Sequence, residues 1–370
     1  LGLRDLELRI PALGDRAPVG RGELQTLQRI RTEVTCARLS MRQEDIDQYV
    51  AGSGATLADL GVDELVLRAC DGYLGLSARV REEALVADLS ARLYLTADGD
   101  KLRISCAQPR LYGHLDTAAP VIAHRLMRAL LRVGQDTYTE IRGLGDMTLR
   151  PLQAALFRVL PAAGWRLPKL KGLRIAAIHI DPEGLEIGFA RLGGRAQTDS
   201  GLGQAATTLC EALDRFRDTD ELLLKGDDKD ALRGYRGELA ARGPEQPFLV
   251  GRILSIASTR REYFMDGLEL ARQVLGRWPD FAPAHAALAS IAVAQGDIES
   301  AAARYRELSQ ASETVGDDEG TVRSALAGAR LLRQFAPDES TKLYELVLDH
   351  RPGHAEASEA LADRYRDEER

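Results

Sequence analysis

The chain has 370 residues, 45% hydrophobic and 28% charged, and its 49 basic against 56 acidic side chains leave a net charge of −7. That length exceeds what one hydrophobic core usually serves, so two domains or a repeat array are expected. No segment approaches 18 continuous apolar residues, which excludes a membrane-spanning helix of ordinary length.

The charge is uneven along the chain. Residues 1–200 carry 27 basic and 25 acidic side chains, residues 201–370 carry 22 and 31. The second half therefore lacks the concentrated cationic surface of a nucleic-acid binder. Residues 101–200 hold 15 basic against 8 acidic side chains, a surplus that either faces anionic headgroups or is simply solvated. Aromatics make up 5%, so the cores must be built from Leu, Ala, Val and Ile. Cys36, Cys70, Cys106 and Cys210 show no CxxC spacing, and three fall in strand-like segments as small buried hydrophobes. The chain opens at Leu1, so a signal peptide or anchor could precede it.

The first segments, LRDLELRI and RTEVTCARLSM, read as strands separated by a loop bearing Gly and Pro. An amphipathic helix from Gln43 follows, then a hairpin turning at Asp71-Gly72, with Leu74, Leu76, Ala78 and Val80 on one side. The clearest alternation runs through Leu85, Ala87, Leu89, Ala91, Leu93 and Leu95. A turn at Asp98-Gly99 continues it into Leu102, Ile104 and Cys106, where Pro109 marks an edge or a bulge. At least six strands joined by short turns thus precede residue 114, as in an antiparallel meander. Helices follow at 120–133, with Ile122, Leu126, Ala129, Leu130 and Val133 in one stripe, and at 151–160, begun by Pro151. The second leads through Gly164, Trp165 and Pro168 to a hairpin closing at Pro182-Glu183-Gly184, so the helix, joint and hairpin begun at Gln43 occur twice.

Helix, Trp165-Arg166-Leu167-Pro168 joint and Gly-turn hairpin together resemble the closing unit of the tubular lipid-binding (TULIP) superfamily. Residues 1–195 as a whole resemble its small bacterial envelope members. The resemblance implies a curved antiparallel sheet wrapped on helices, a lipid held by apolar contact, and a place in the bacterial cell envelope or periplasm, with the cytoplasm left open. The lining candidates are Leu74, Leu76, Leu89, Leu93, Leu126, Leu130, Ile175 and Ile187. An apolar sheet face against an apolar helix is first of all a core, and the residues alone do not separate a filled core from a hollow one.

Residues 196–203 read as a Gly-, Ser- and Thr-rich linker, and 204–370 as purely helical. Small-then-larger pairs recur there at Ala231/Tyr235, Gly267/Ala271, Ala301/Tyr305 and Ser340/Tyr344, with Gly-Asp turns at 226 and 296. The segment from His285 to Leu308 resembles the tetratricopeptide repeat, which implies about four repeats, a capping helix and a concave groove for a protein partner. Groove candidates by register are Arg252, Ile256, Ser290, Val293, Ala325 and Ala329, which are equally ordinary packing positions.

Chemistry-bearing motifs are few. His350 and His354 are separated by Pro352 and Gly353, which breaks a shared helical face. The Gly-rich loops complete no phosphate-binding pattern, no Gly-x-Ser-x-Gly elbow occurs, and Asp227, Asp228 and Asp230 fit a helix turn better than a calcium loop. The expected fold is an α+β domain followed by an all-α repeat domain. The expected function is non-enzymatic lipid binding or transfer, with no cofactor or metal, a lipid and a protein as partners, transient membrane contact and no nucleic acid. A structural scaffold without lipid is the alternative.

Overall fold

A computed structural model describes residues 2–9, 33–132, 138–161, 166–191, 200–243 and 245–368. Gly164 and Trp165 of the joint, Val133 of the first long helix, the loop after the first strand and linker residues 196–199 lie outside this set.

Strands β1 (Gly2–Arg9) and β2 (Glu33–Arg42) lead into helices α1 (Gln43–Ala51) and α2 (Gly54–Ala58). The expected meander follows as β3 (Val62–Cys70), β4 (Tyr73–Glu82), β5 (Leu85–Asp98) and β6 (Lys101–Tyr112). Next come α3 (Ala119–Leu130), β7 (Thr139–Gly143), β8 (Asp146–Leu149), α4 (Pro151–Val159), β9 (Arg174–Asp181) and β10 (Gly184–Ala190). The strands form two antiparallel sheets, one ordered β3-β4-β5-β6-β8-β7 and one ordered β1-β2-β10-β9. This refines the single curved sheet expected: β2 pairs with the late strand β10, and the α1–α2 segment carries the chain across to the second layer. The duplicated helix and hairpin contributes one hairpin to each sheet.

Register follows the alternation. Leu74 faces Leu93, Leu76 faces Ala91, Ala78 faces Leu89 and Val80 faces Ala87, so one face of β4 and β5 is wholly apolar. At β6 the pairing slips, because Gln108 and Pro109 both oppose Ala91, a bulge that moves the inward positions from Ile104 and Cys106 to Leu111. Apolar faces of both sheets enclose α3 and α4 in one core containing Leu76, Leu89, Ile122, Leu126, Leu156, Ile178 and Phe189. Two turns pin the layers together: Gly72 N–H donates to the Ile180 carbonyl at 3.0 Å, and Ile175 N–H to that of Gly99 at 2.8 Å.

Helix α5 (Ser200–Arg215) starts inside the stretch read as linker. It is followed by α6 (Arg217–Leu224), α7 (Asp228–Arg242), α8 (Pro247–Ala257), α9 (Phe264–Leu275), α10 (Ala282–Gln295), α11 (Ile298–Thr314), α12 (Asp318–Leu332), α13 (Pro337–His350) and α14 (Ala355–Glu368). The four small-then-larger pairs all lie on alternate helices, α7, α9, α11 and α13, and their tyrosines are buried. Joints before α7, α11 and α12 share one construction: a Gly, then an Asp whose carboxylate accepts a backbone N–H of the helix it opens. The third, Gly316-Asp317, falls where the sequence reads only as a lengthened loop.

Candidate functional site

The helical region lies on the outer face of the six-stranded sheet. Period two puts Ser77, Arg79, Asp88, Ser90 and Arg92 opposite the leucines, and in a free-standing meander these would meet water. Instead Asp88, fully buried, receives Arg79 at 3.1 Å from β4 and Arg330 at 2.6 Å from α12. Arg323 of α12, also without exposure, reaches Glu319 at 2.9 Å, Ser77 Oγ at 3.1 Å, Glu64 at 3.6 Å and Asp88 at 3.9 Å. Burial raises the Asp88 carboxyl, and Arg323 and Arg79 offset part of that rise. Asp317, the N-cap of α12, accepts from Arg110 and lies 3.6 Å from Arg92. Burial alone would raise its carboxyl; the two arginines hold it below the ordinary carboxylate value. Arg103 is bidentate to Asp146 at 2.9 and 2.7 Å and bonds Asp214 of α5 at 2.9 Å.

This packing decides what the candidate residues do. Leu74, Leu76, Leu89, Leu93, Leu126, Leu130, Ile175 and Ile187 are all brought together in the one core, each at most 7% exposed. The six groove candidates require a correction. Arg252, Ile256, Ser290, Ala325 and Ala329 are buried and Val293 is half-buried; Ala325 and Ala329 pack among Ala302, Leu343 and Tyr344 of neighbouring helices, and Ile256 among Phe216, Leu223 and Val121. Arg252 pairs with Asp220 at 3.2 Å, and Ser290 Oγ lies 3.4 Å from His114 Nδ1 of the sheet domain. Tyr112 of β6 is packed among Ala282, Ala286 and Ala289 of α10.

Two of the clefts that border these regions combine apolar walls with cations. One, of about 510 Å³, lies at the end of the two-sheet core between α4 and the segment 167–171; Leu156 is its floor, and Phe157, Leu167, Leu170, Lys169 and Lys171 surround it. Phe157 is 43% exposed and both lysines are exposed. The other, of about 320 Å³, lies between the β6 bulge and helices α5 and α8. The sequence signals its rim through Pro109, but not the helices that close it.

Ser105 Oγ donates to Asp146, whose carboxylate is already engaged by Arg103. Burial pushes the Cys106 thiol up to about 12, which keeps it protonated and unreactive. Asp227 caps α7 by accepting the Asp230 N–H at 3.2 Å, so the aspartate cluster forms a helix turn. Among the described residues no three His, Cys, Asp or Glu side chains converge as a metal site, and no helix is long and apolar enough to cross a membrane. No protein-family model matches the chain, and neither do the curated proteins or the solved structures.

Proposed function

We propose that the chain is a non-enzymatic lipid-binding protein of the cell envelope, with a TULIP-like sheet domain that takes up an acyl chain at the α4 end of its core. The observation that carries this reading is the 510 Å³ cleft there, floored by Leu156 of the main core and rimmed by exposed Phe157, Lys169 and Lys171. Apolar side chains beside ammonium groups suit the boundary between acyl chains and anionic headgroups. Lipid would enter by parting α4 from the sheet, because the eight core residues are closely packed with one another. The tetratricopeptide-like array then braces the sheet, and partner docking falls to its outer side, where Met265 and Phe335 are 72% and 68% exposed. The same exposed residues favour the second reading, a scaffold without lipid.

The rim, not the core, is the place to test this, since a charge at Leu93 or Leu126 would unfold the domain. Native mass spectrometry of the full chain should show co-purifying phospholipid, and uptake should be greater from anionic than from neutral liposomes. Phe157→Asp, and Lys169→Glu combined with Lys171→Glu, should each cut uptake about tenfold with unchanged circular dichroism. Reproducible absence of bound lipid and of uptake sinks the proposal and leaves the scaffold.

A further inference from the structure

The cleft of about 320 Å³ between the sheet and the helical array carries three independent marks of a ligand site. The first is backbone strain at its rim. Gln108 has φ +45°, a left-handed conformation unusual for a side chain with a Cβ, and it belongs to the bulge that displaces β6 toward the cleft. The second is empty space kept open at a helix. Gly251 lies inside α8, where Gly is about 1 kcal/mol less favourable than Ala, yet a Cβ built on it would meet nothing within 4 Å. Packing within the chain therefore gives no reason for Gly at this position, which faces the cleft.

Charge is the third mark. Among the described residues, Arg92 and Arg110 both turn to Asp317 as their one carboxylate, so two guanidiniums share a single negative charge. Arg110 lies against it, whereas Arg92 stands 3.6 Å away and lines the cleft. Its Nε is buried without a hydrogen-bond partner, an orphan donor of the kind that a bound anion satisfies. The apolar part of the wall is Phe216 and Phe248, stacked at 5.7 Å, with Phe281 and Pro283, while Thr208, Glu211, Arg215 and Gln246 add polar groups to the lining. Arg252, also lining the cleft, is neutralised by Asp220.

We infer that this cleft binds a small amphipathic carboxylate, its apolar body lying over Gly251 against the phenylalanines and its carboxylate bound by Arg92 beside Gln108. A size near the lower end of ordinary ligand pockets suits a single short chain or aryl group rather than a two-chain phospholipid. The inference is independent of the α4 cleft, which lies on the other side of the sheet core.

Isothermal titration of the full-length chain with decanoate, and with decanol as its neutral counterpart, tests this directly. Saturable 1:1 binding of decanoate is expected, with decanol at least tenfold weaker. Gly251→Leu should abolish both, and it should keep or raise the melting temperature because it fills free space in a helix. Arg92→Met, which leaves Asp317 paired with Arg110, should weaken decanoate about tenfold and leave decanol unchanged. Should Gly251→Leu disturb folding, Thr208→Trp on α5 blocks the same cleft from an exposed position. Absence of saturable decanoate binding, or undiminished binding by the folded blocking variants, overturns the inference. Uptake from liposomes by the Gly251→Leu protein separates the two sites, since phospholipid uptake should persist when decanoate binding is lost.

Discussion

The two faces of the six-stranded sheet are both buried, yet they are held by opposite means. Towards α3 and α4 the contacts are Leu, Ile and Ala, an apolar packing that tolerates small shifts in position. Towards α12 the contacts are charges: Asp88 with three arginines and Asp317 with two. Guanidinium–carboxylate pairs fix distance and orientation together, so the outer face specifies where the helical array sits while the inner face supplies most of the burial. The difference also separates two kinds of failure. A deleted methylene on the inner face leaves a cavity, whereas a deleted charge on the outer face leaves a buried partner without its counter-ion.

The largest test of this contrast is Arg323→Ala. It takes a guanidinium from fully buried Asp88, which keeps Arg79 and Arg330, and from Glu319, which keeps Arg351, at a cost of about 3–5 kcal/mol. Leu89→Ala, the matching change on the inner face at 0% exposure, should cost about 2–5 kcal/mol through lost burial and residual cavity. Urea unfolding measures both. What distinguishes them is rescue: Arg323→Met with Asp88→Asn should regain much of the loss, because the buried carboxylate leaves with its partner while Arg79 and Arg330 keep Glu356 and Glu319 keeps Arg351. If the paired substitution is no better than Arg323→Ala, the ionic account of the outer face is wrong.

Much of the inner face was legible in the sequence, and almost none of the outer one. Alternation from Leu85 to Leu95 states which side chains share a face, and Pro109 announces the bulge. Both follow from local backbone geometry, which a period of two reveals. That Asp88 is buried and Arg79 and Arg92 half-buried is not local information. Their partners Arg323, Arg330 and Asp317 lie more than 200 residues away, and a charged strand face looks the same in sequence whether water or a helix covers it. The groove candidates meet the same limit: register placed Arg252, Ser290 and Ala325 on a helix face, but could not show that Asp220, His114 and the residues of neighbouring helices already cover them. Gly251 carried no sequence signal, since a Gly in a helix gains meaning only when its surroundings are seen to be empty.

Helix α3 touches both regions, and its histidine tests them by pH. Sequence periodicity leaves His124 off the apolar stripe, but one side of α3 enters the two-sheet core while Ala118 and Val121 meet Phe216 and Leu223 of the array. His124 is consequently 3% exposed, with Nδ1 accepting the Gly145 N–H at 3.1 Å. Burial, aided by Arg128 and Arg125, lowers its pKa to about 4. Between that value and the unfolded value near 6.5, the unfolded chain takes up a proton that the folded one refuses. Stability is thus fully present above pH 6.5 and falls as the pH drops towards 4, by up to roughly 3 kcal/mol from this group. His124→Asn keeps an acceptor for Gly145 and does not titrate, so it should flatten that part of the stability–pH curve. A slope unchanged in the variant would assign the acid sensitivity to other groups, first of all His114 and His354, whose pKa values burial also lowers.

The smallest expected effect sharpens the comparison most, because it holds the local structure constant. Asp227 and Asp317 occupy equivalent places, each following a Gly and each capping the helix it opens through a backbone N–H three residues on, both at 3.2 Å. Asp227 is exposed, whereas Asp317 is buried against Arg110 and Arg92. Asp227→Ala should therefore lose only the cap, about 1 kcal/mol by thermal or urea unfolding. Asp317→Ala loses an equivalent cap and also leaves two guanidiniums without their carboxylate. The excess of its destabilisation over that of Asp227→Ala then isolates what the sheet adds to a helix cap. Equal losses at the two positions would mean that Arg92 and Arg110 contribute nothing beyond the cap.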